Sequence, residues 1–382
     1  MKSNKKIIFL VNNLDFFVSH RLEIAKTVLD KGFNVTIGYG ENNRVDCKTL
    51  KKKGFNLNLI PMYRGSNNLF NELKTFNSIW KFFKKEKPDI VHLITIKPYL
   101  YGGIVSLIQK IPAVVTAVSG LGSLFIRKDF KSLLLRFLLF PLFKLAFSPK
   151  NQIVILQNKF DSKLLIEWRA LNPSKVRFIK GSGIKLQNFN NLNEPKGSIK
   201  VCYASRLLKS KGVYDFISAA KILKSNNLKC EFILAGDLDT KSPTGLSSND
   251  LKKLKKISFL KIIGFQKNIP KLYAKSHIIC LPSYYREGLP KSLLEAAAAS
   301  RAVVTTDHPG CRDAIIPNKT GLLVPIKDPK KLASAIQYLI NNPGIRLKMG
   351  KNGRRLAETQ FRVEKVVKLH MQIYNNLLNK VN

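Results

Sequence analysis

Apolar positions at the start of the chain fall in short dense runs, separated by stretches whose apolar residues recur three and four apart. KIIFLV (6–11) is followed by HRLEIAKTVLDKG (20–32) and then by FNVTIGY (33–39). Runs rich in β-branched residues predict strands and the helical spacing predicts a helix between them, so the opening reads strand, helix, parallel strand. Lys31-Gly32 supplies the cation and the left-handed residue that suit the end of that helix. The rhythm continues through NLNLIP (56–61), a helix near 70–86, PDIVHLI (88–94), PAVVTAV (112–118), QIVILQ (152–157) and KVRFIK (175–180).

The pattern lapses in GSGIKLQNFNNLNEPKGS (181–198), which is polar, has no period, and reads as a linker. It restarts with IKVCYAS (199–205), KCEFILAG (229–236), FLKIIG (259–264), HIICLPS (277–283) and RAVVTT (301–306), each separated from the next by a helical pattern. The tail from about 343 reads as helix, with one apolar face in VEKVVKLHMQIYNNLL. Strands alternating with helices predict an α/β fold with two parallel sheets in series. The predicted domains span 1–182 and 198–355, and a final helix, 356–382, packs back on the first.

Composition sharpens this picture. A length of 382 residues exceeds what one core usually serves, and an apolar content of 45% supports two. Lys and Arg number 66 against 24 Asp and Glu, a formal charge of +42 that favours anionic partners. Lysine and asparagine are abundant throughout, so compositional bias accounts for part of that charge. Five scattered cysteines, none in a CxxC pair, predict reduced thiols in a cytoplasmic protein and argue against a zinc site. The start, MKSNKKIIFLVNN, has too short an apolar run for an export signal. SLLLRFLLFPLFKLAF (132–147) is broken by Arg136, Pro141 and Lys144, which excludes a spanning helix. Segment 124–147 carries Arg127, Lys128, Lys131, Arg136 and Lys144 among Leu and Phe, a mixture that suits either the surface of an anionic membrane or the core of the first domain.

Two of the scarce acids stand eight residues apart in YYREGLPKSLLEAAAAS (284–300). In open parallel sheets ligands bind beyond the carboxyl ends of strands. HIICLPS is a strand, YYREG the loop after it, and Pro290 the predicted first residue of a helix. Glu287 then lies on the loop and Glu295 on the following helix, both directed to one site. The amides of Lys291 and Ser292 at the helix start would add an anion site. Carboxylates beside an anion site suit a ligand rich in both hydroxyls and phosphates.

EGLPKSLLEA resembles the E-x7-E signature of the retaining glycosyltransferases of family four. YASRLLKSKGVYDFISAAKIL (203–223), IIGFQKNIPKLYAKSHIICLPSYYREGLP (262–290) and GCRDAIIPNKTGLLVP (310–325) resemble its other segments in order. FFVSHRLEIAKTVLDKGFNVTIGYG, DIVHLITIKPYLYGGIVSL and VVTAVSGLGSLF are similar to the bacterial subgroup acting on undecaprenyl-diphosphate-linked saccharides. The resemblance implies a GT-B fold, two Rossmann-like parallel-sheet domains facing a central cleft, with the acceptor on the first domain and a nucleotide-sugar donor on the second. It implies that Glu295 binds the ribose and Glu287 the donor sugar, and that Arg206 and Lys211 hold the diphosphate. Gly288, Leu289, Lys291 and Ser292 would border the donor, and the backbone near Gly264 and Phe265 would meet the base.

No cofactor and no metal ion is implied; the UDP-sugar is a co-substrate. Asp237-Leu-Asp239 offers a superficial metal motif, which the resemblance does not support. His277 and His370 read as structural, whereas His20 and His92 are expected at loop junctions of the first domain, His20 as an acceptor or phosphate contact. Relatives place a histidine after the strand matching VVTAV, where this chain has Ser119-Gly120-Leu121-Gly122. Gly120 and Gly122 would let the backbone approach phosphate, and Tyr99, Tyr101 and Gly102-Gly103 are expected to line the acceptor site. These expectations amount to a metal-independent hexosyl- or N-acetylhexosaminyltransferase, peripheral on the inner face of the cell membrane, with a lipid-linked saccharide acceptor. The alternatives are a UDP-sugar epimerase of similar fold and a non-catalytic polyanion-binding protein. Nucleic acid is not an expected partner, because the basic residues form no single stripe with interleaved aromatics.

Overall fold

Alternate residues of the first strand serve two different cores, and this fixes the layering of the amino-terminal half. In the computed structural model, which describes residues 5–63, 68–121, 130–190 and 192–381, Ile7, Phe9 and Val11 pack into one apolar cluster and Ile8 and Leu10 into another. A strand buried on both faces belongs in a parallel sheet covered by helices on each side. The elements are β1 (Lys6–Asn13), α1 (Leu14–His20), α2 (Leu22–Asp30), β2 (Asn34–Glu41), α3 (Cys47–Lys52), β3 (Asn56–Leu59) and α4 (Leu69–Glu86). They continue with β4 (Ile90–Ile94), α5 (Ile96–Ile108), β5 (Ala113–Val118), α6 (Phe130–Ala146), β6 (Gln152–Leu156), α7 (Lys159–Glu167) and β7 (Val176–Phe178). The seven strands are parallel, in the order β3-β2-β1-β4-β5-β6-β7, so the winding direction reverses between β1 and β4.

The second half repeats the plan with β8 (Ile199–Ala204), α8 (Val213–Ser225), β9 (Cys230–Ala235), α9 (Ser248–Lys255), β10 (Leu260–Gly264) and α10 (Ile269–Ala274). After these come β11 (Ile278–Leu281), α11 (Lys291–Ala298), β12 (Ala302–Thr306), β13 (Gly321–Val324), α12 (Pro329–Asn341) and α13 (Pro343–Leu356). The six parallel strands run β10-β9-β8-β11-β12-β13, and here the reversal falls between β8 and β11. Two parallel, helix-covered sheets are the architecture that the sequence rhythm predicts.

The chain forms two units, one of Met1–Ser182 with Val363–Asn382 and the other of Gly183–Arg362. The last helix, α14 (Val363–Leu378), belongs to the first unit, where its Val366, Met371, Tyr374 and Leu377 join the cluster containing Phe9. The polar segment read as a linker is no loose tether. Ile184, Leu186 and Phe189 are buried in the core of the second unit. The fully buried Arg301 guanidinium donates to the Leu192 and Asn193 carbonyls, each at 2.7 Å, and Arg346 holds the Glu194 carboxylate at 2.9 Å. Guanidinium clamps on backbone carbonyls leave no apolar period, which is why the pattern did not reveal them.

Candidate active site

The reversal between β8 and β11 is where an open α/β sheet leaves a crevice at its carboxyl edge. β8 leads into Ser205-Arg206, then a short 3-10 turn Lys209–Lys211, then Gly212 at φ 73° and α8. A side chain at Gly212 would put its Cβ 2.0 Å from the Pro282 carbonyl oxygen, so glycine is required where the loop after β8 crosses the end of β11. The loops are further tied by the Tyr284 amide donating to the Ser210 carbonyl at 2.9 Å. This close approach brings Lys211 to Glu287. The Lys211 ammonium donates to Glu287 Oε2, while Glu287 Oε1 accepts from the Ser283 hydroxyl at 3.0 Å. Lys211 is buried, and its ammonium also lies 5.6 Å from the Tyr285 ring centroid.

Gly310 holds the same loop from the other side. At φ 84°, a Cβ there would meet the Gly288 carbonyl oxygen at 2.0 Å and that of Glu287 at 2.6 Å. Thr306 at the end of β12 donates to the Ser283 carbonyl. Glu287 is thus fixed by three strand ends.

Glu295 sits on α11, which begins at Lys291; Pro290 is its N-cap, one residue earlier in role than expected, and no side chain caps the first amides. Burial pushes the Glu295 carboxyl up, and Lys291, 3.7 Å away, pulls it down. Arg206 does not join Lys211: its guanidinium donates to Asp239 at 2.6 Å and is half exposed. The Phe265 amide donates to Asp237 at 3.1 Å, and the Gly264 carbonyl accepts from Gly236 at 2.8 Å, so both backbone groups expected at the base have partners. Gly288 and Leu289 continue the Glu287 loop, with Leu289 buried. Among the described residues, no cluster of three or more His, Cys, Asp or Glu could hold a metal ion.

In the first unit, His20 ends α1. Its ring stacks on Phe16 with centroids 4.0 Å apart, and its Nδ1 lies 2.6 Å from the Ser19 hydroxyl. Gly120, at φ 109°, follows β5, and Gly122 lies outside the described residues. His92 is not at a loop junction. It is the middle residue of β4, fully buried, with Nδ1 2.5 Å from the Tyr374 hydroxyl, because the alternation of the strand turns it into the core. Tyr99 is likewise buried, packed on Phe143 and Phe147, instead of lining a binding surface. Gly102 and Gly103 serve helix packing: a Cβ at Gly102 would meet Leu93 at 2.8 Å, and one at Gly103 the Ala146 carbonyl at 2.5 Å. Tyr101 donates to Glu72 at 2.6 Å, which joins α5 to α4.

Sequence comparison identifies the family that this fold belongs to. Residues 185–356 match the family model described as glycosyl transferases group 1, and residues 6–158 match the model for glycosyl transferase 4-like domains. The chain is a GT-B glycosyltransferase related to the family-four enzymes. It is 29% identical, over 94% of its length and 96% of the relative's, to an N,N'-diacetylbacillosaminyl-diphospho-undecaprenol alpha-1,3-N-acetylgalactosaminyltransferase of Campylobacter jejuni. A UDP-Gal:alpha-D-GlcNAc-diphosphoundecaprenol alpha-1,3-galactosyltransferase of Escherichia coli is 27% identical, over 83% and 84% of the two chains. A glycosyltransferase crystal structure from Rickettsia africae superposes with a TM-score of 0.76 at 21% identity, over 98% and 99% of the two chains, and shares the fold.

Several residues that shape this glycosyltransferase's site carried no separate sequence signal. Ser283 and Thr306 are ordinary polar residues until the sheet order places them, while Asp239, noticed only as part of a superficial metal motif, instead holds Arg206. Gly310 had one, since a glycine directly after a histidine-proline step marks a turn. No described helix of the enzyme is long and apolar enough to cross a membrane. Its first unit does expose large apolar side chains at the start of α4, where Phe70 is 70% accessible and Leu69 and Leu73 lie beside it, and along α6, where Phe137 is 77% accessible and Leu134 and Leu138 are also exposed. The far end of α6 is core, with Phe143 and Ala146 buried.

Proposed function

We propose that this glycosyltransferase moves a hexose or N-acetylhexosamine, with retention, from a UDP-sugar to a saccharide carried on a membrane lipid diphosphate. The second unit takes the donor and the first the acceptor. The observation that carries the reading is the Lys211–Glu287 pair at the reversal of the second sheet, set by glycines that leave no room for side chains. A donor diphosphate brought there meets the Lys211 ammonium, and Arg206 turns from Asp239 to give its planar fork to phosphate oxygens. Glu287, released from Lys211, accepts from hydroxyls of the transferred sugar, and Glu295 accepts from the ribose.

The rate comes from stabilising the departing diphosphate. Each preorganised cationic contact is worth about 3 kcal/mol in such sites, roughly a hundredfold in rate. Asp237 accepts from the Phe265 amide, and Asp239 holds Arg206 until the donor diphosphate takes it; this pair is assigned to positioning, and no divalent ion is invoked. The relatives named for undecaprenyl-diphosphate acceptors support the acceptor class, and the UDP-Gal relative supports the donor. The apolar side chains on α4 and α6, in a chain of net charge +42, support docking on the inner, anionic face of the cell membrane.

The test is UDP release with UDP-sugars and a polyprenyl-diphosphate-linked acceptor. Turnover is expected to persist in EDTA and to fall at least a hundredfold in Glu287→Ala and Arg206→Ala. Interconversion of free UDP-sugars without acceptor would instead identify an epimerase, and strict dependence on a divalent ion would overturn the metal-free mechanism.

A further inference from the structure

Arg21 is a buried cation for which the proposed chemistry has no use. It stands between α1 and α2, is 2% accessible, and pairs with no carboxylate among the described residues. Its Nη1 donates to the His20 carbonyl at 3.0 Å, Nη2 lies 3.5 Å from the Ser119 hydroxyl, and Nε is buried without a partner among the described residues. Among the described residues, the groups that face it, His92, His370 and Tyr374, carry no negative charge. His92 and His370 are stacked with ring centroids 5.6 Å apart, His370 donates from Nδ1 to the Val366 carbonyl at 2.8 Å, and Tyr374 bonds His92. Burial lowers the guanidinium to about 10, which leaves it charged at neutral pH.

Burying an ion without a counter-ion costs several kcal/mol, so a chain under selection for stability alone would replace it. Its position suggests what is gained. Ser119 directly follows β5, and His20 ends the helix that follows β1, so both groups that Arg21 holds lie at the carboxyl edge of the first sheet. There the strand order reverses, and the Asn12 amide at the end of β1 meets the Thr95 hydroxyl after β4 at 3.2 Å. We infer that Arg21 is a positioning residue for an anionic acceptor: it orients His20 and the Ser119-Gly120 turn, and its uncompensated charge attracts a phosphate group to that edge. This rests on the acceptor class given under Proposed function. A bound phosphate supplies the negative charge that no described carboxylate provides, so acceptor affinity is gained at the expense of stability.

The test compares Arg21→Met, which removes the charge at similar bulk, with Arg21→Lys, which keeps it, in the full chain. In R21M the melting temperature is expected to hold or rise, while the KM for the polyprenyl-diphosphate-linked acceptor rises tenfold or more and kcat and donor KM stay within about twofold. R21K is expected to recover most of the acceptor KM. A lower melting temperature with an unchanged acceptor KM, or equal rises in both KM values, would make Arg21 purely structural and overturn the inference. A second measurement separates this from the choice of substrate. With the donor site filled by saturating UDP, inorganic pyrophosphate is expected to raise the melting temperature of wild type and R21K but not of R21M. If wild type transfers nothing to the lipid-linked acceptor yet shows this shift, the acceptor class is wrong and the anion site stands. If wild type shows no shift, the anion site is refuted.

Discussion

The Lys211 ammonium meets the Glu287 carboxylate across the gap between β8 and β11, with both side chains largely withdrawn from water at 8% and 14% accessibility. Each neutralises the charge of the other. Removing one partner of a buried pair leaves an uncompensated charge, at a cost of about 3–5 kcal/mol. Glu287→Ala and Lys211→Met are each expected to lower stability by several kcal/mol in chemical denaturation. The double variant is expected to lose less than the sum of the two, because no charge is left stranded. Additive losses would show that the two groups do not depend on each other.

Gly310 tests the backbone beneath the site. A methyl group there meets the Gly288 and Glu287 carbonyls at distances no packing tolerates, and the residue also has positive φ. Gly310→Ala is expected to move the Glu287 loop and reduce kcat by a factor of about ten to a hundred, since small displacements of positioned groups are costly. Gly197→Ala is the control: it too has positive φ, at 94°, but nothing lies within 4 Å of the new carbon. It should cost about 1 kcal/mol of stability and leave turnover intact. Equal effects on turnover in the two variants would contradict the role given to the Gly310 contact.

Much of the fold was legible because parallel strands buried on both faces are predominantly apolar, as VVTAV and IICL are. GLLV, which becomes β13, does not stand out as a strand, since four residues after a turn have little pattern of their own. The helix before His20 is hidden for a related reason: LDFFVSH follows β1 without a break, and only the Asn13 side chain, accepting from the Phe16 amide at 3.0 Å, marks its start. At the site, the acids of EGLPKSLLEA stand out because acids are scarce in this chain. Ser283 and Arg21 cannot, because their importance lies in which strand ends the topology brings together. His92 departs from the expectation because β4 is buried on both faces, so its pattern has no polar side and a histidine in it reads as an end when it is the middle.

The exposed aromatics of the first unit separate membrane docking from core packing. Phe70 and Phe137 contribute little to the core, so Phe70→Ser and Phe137→Ser should leave the melting temperature within about a degree. Burying a phenylalanine in the bilayer boundary is worth about 1.5–3 kcal/mol. Each substitution is therefore expected to weaken co-sedimentation with phosphatidylglycerol-containing vesicles about tenfold or more. Raised salt should weaken the wild-type interaction as well, by screening its basic residues. Unchanged sedimentation in the double variant would exclude these helices as the contact.

Two buried histidines contribute to the acid side of the stability profile. Burial, aided by the nearby Arg21 charge, pushes His370 down to about 3, and burial with His370 and Arg21 lowers His92 well below the usual range. In the unfolded chain both titrate near 6.5. Between about pH 6.5 and 3 the unfolded state therefore binds protons that the folded state refuses, so stability is full above 6.5 and is lost as pH falls through this window. Each histidine contributes a slope of about 1 kcal/mol per pH unit between pH 6 and 5, before most carboxylates titrate. His370→Phe keeps a ring against His92 and removes one titrating group. Its denaturation midpoints, converted to free energy, should fall less steeply than wild type by about that amount over the same unit of pH. Parallel slopes for the two proteins would mean that His370 is already accessible to protons in the folded state.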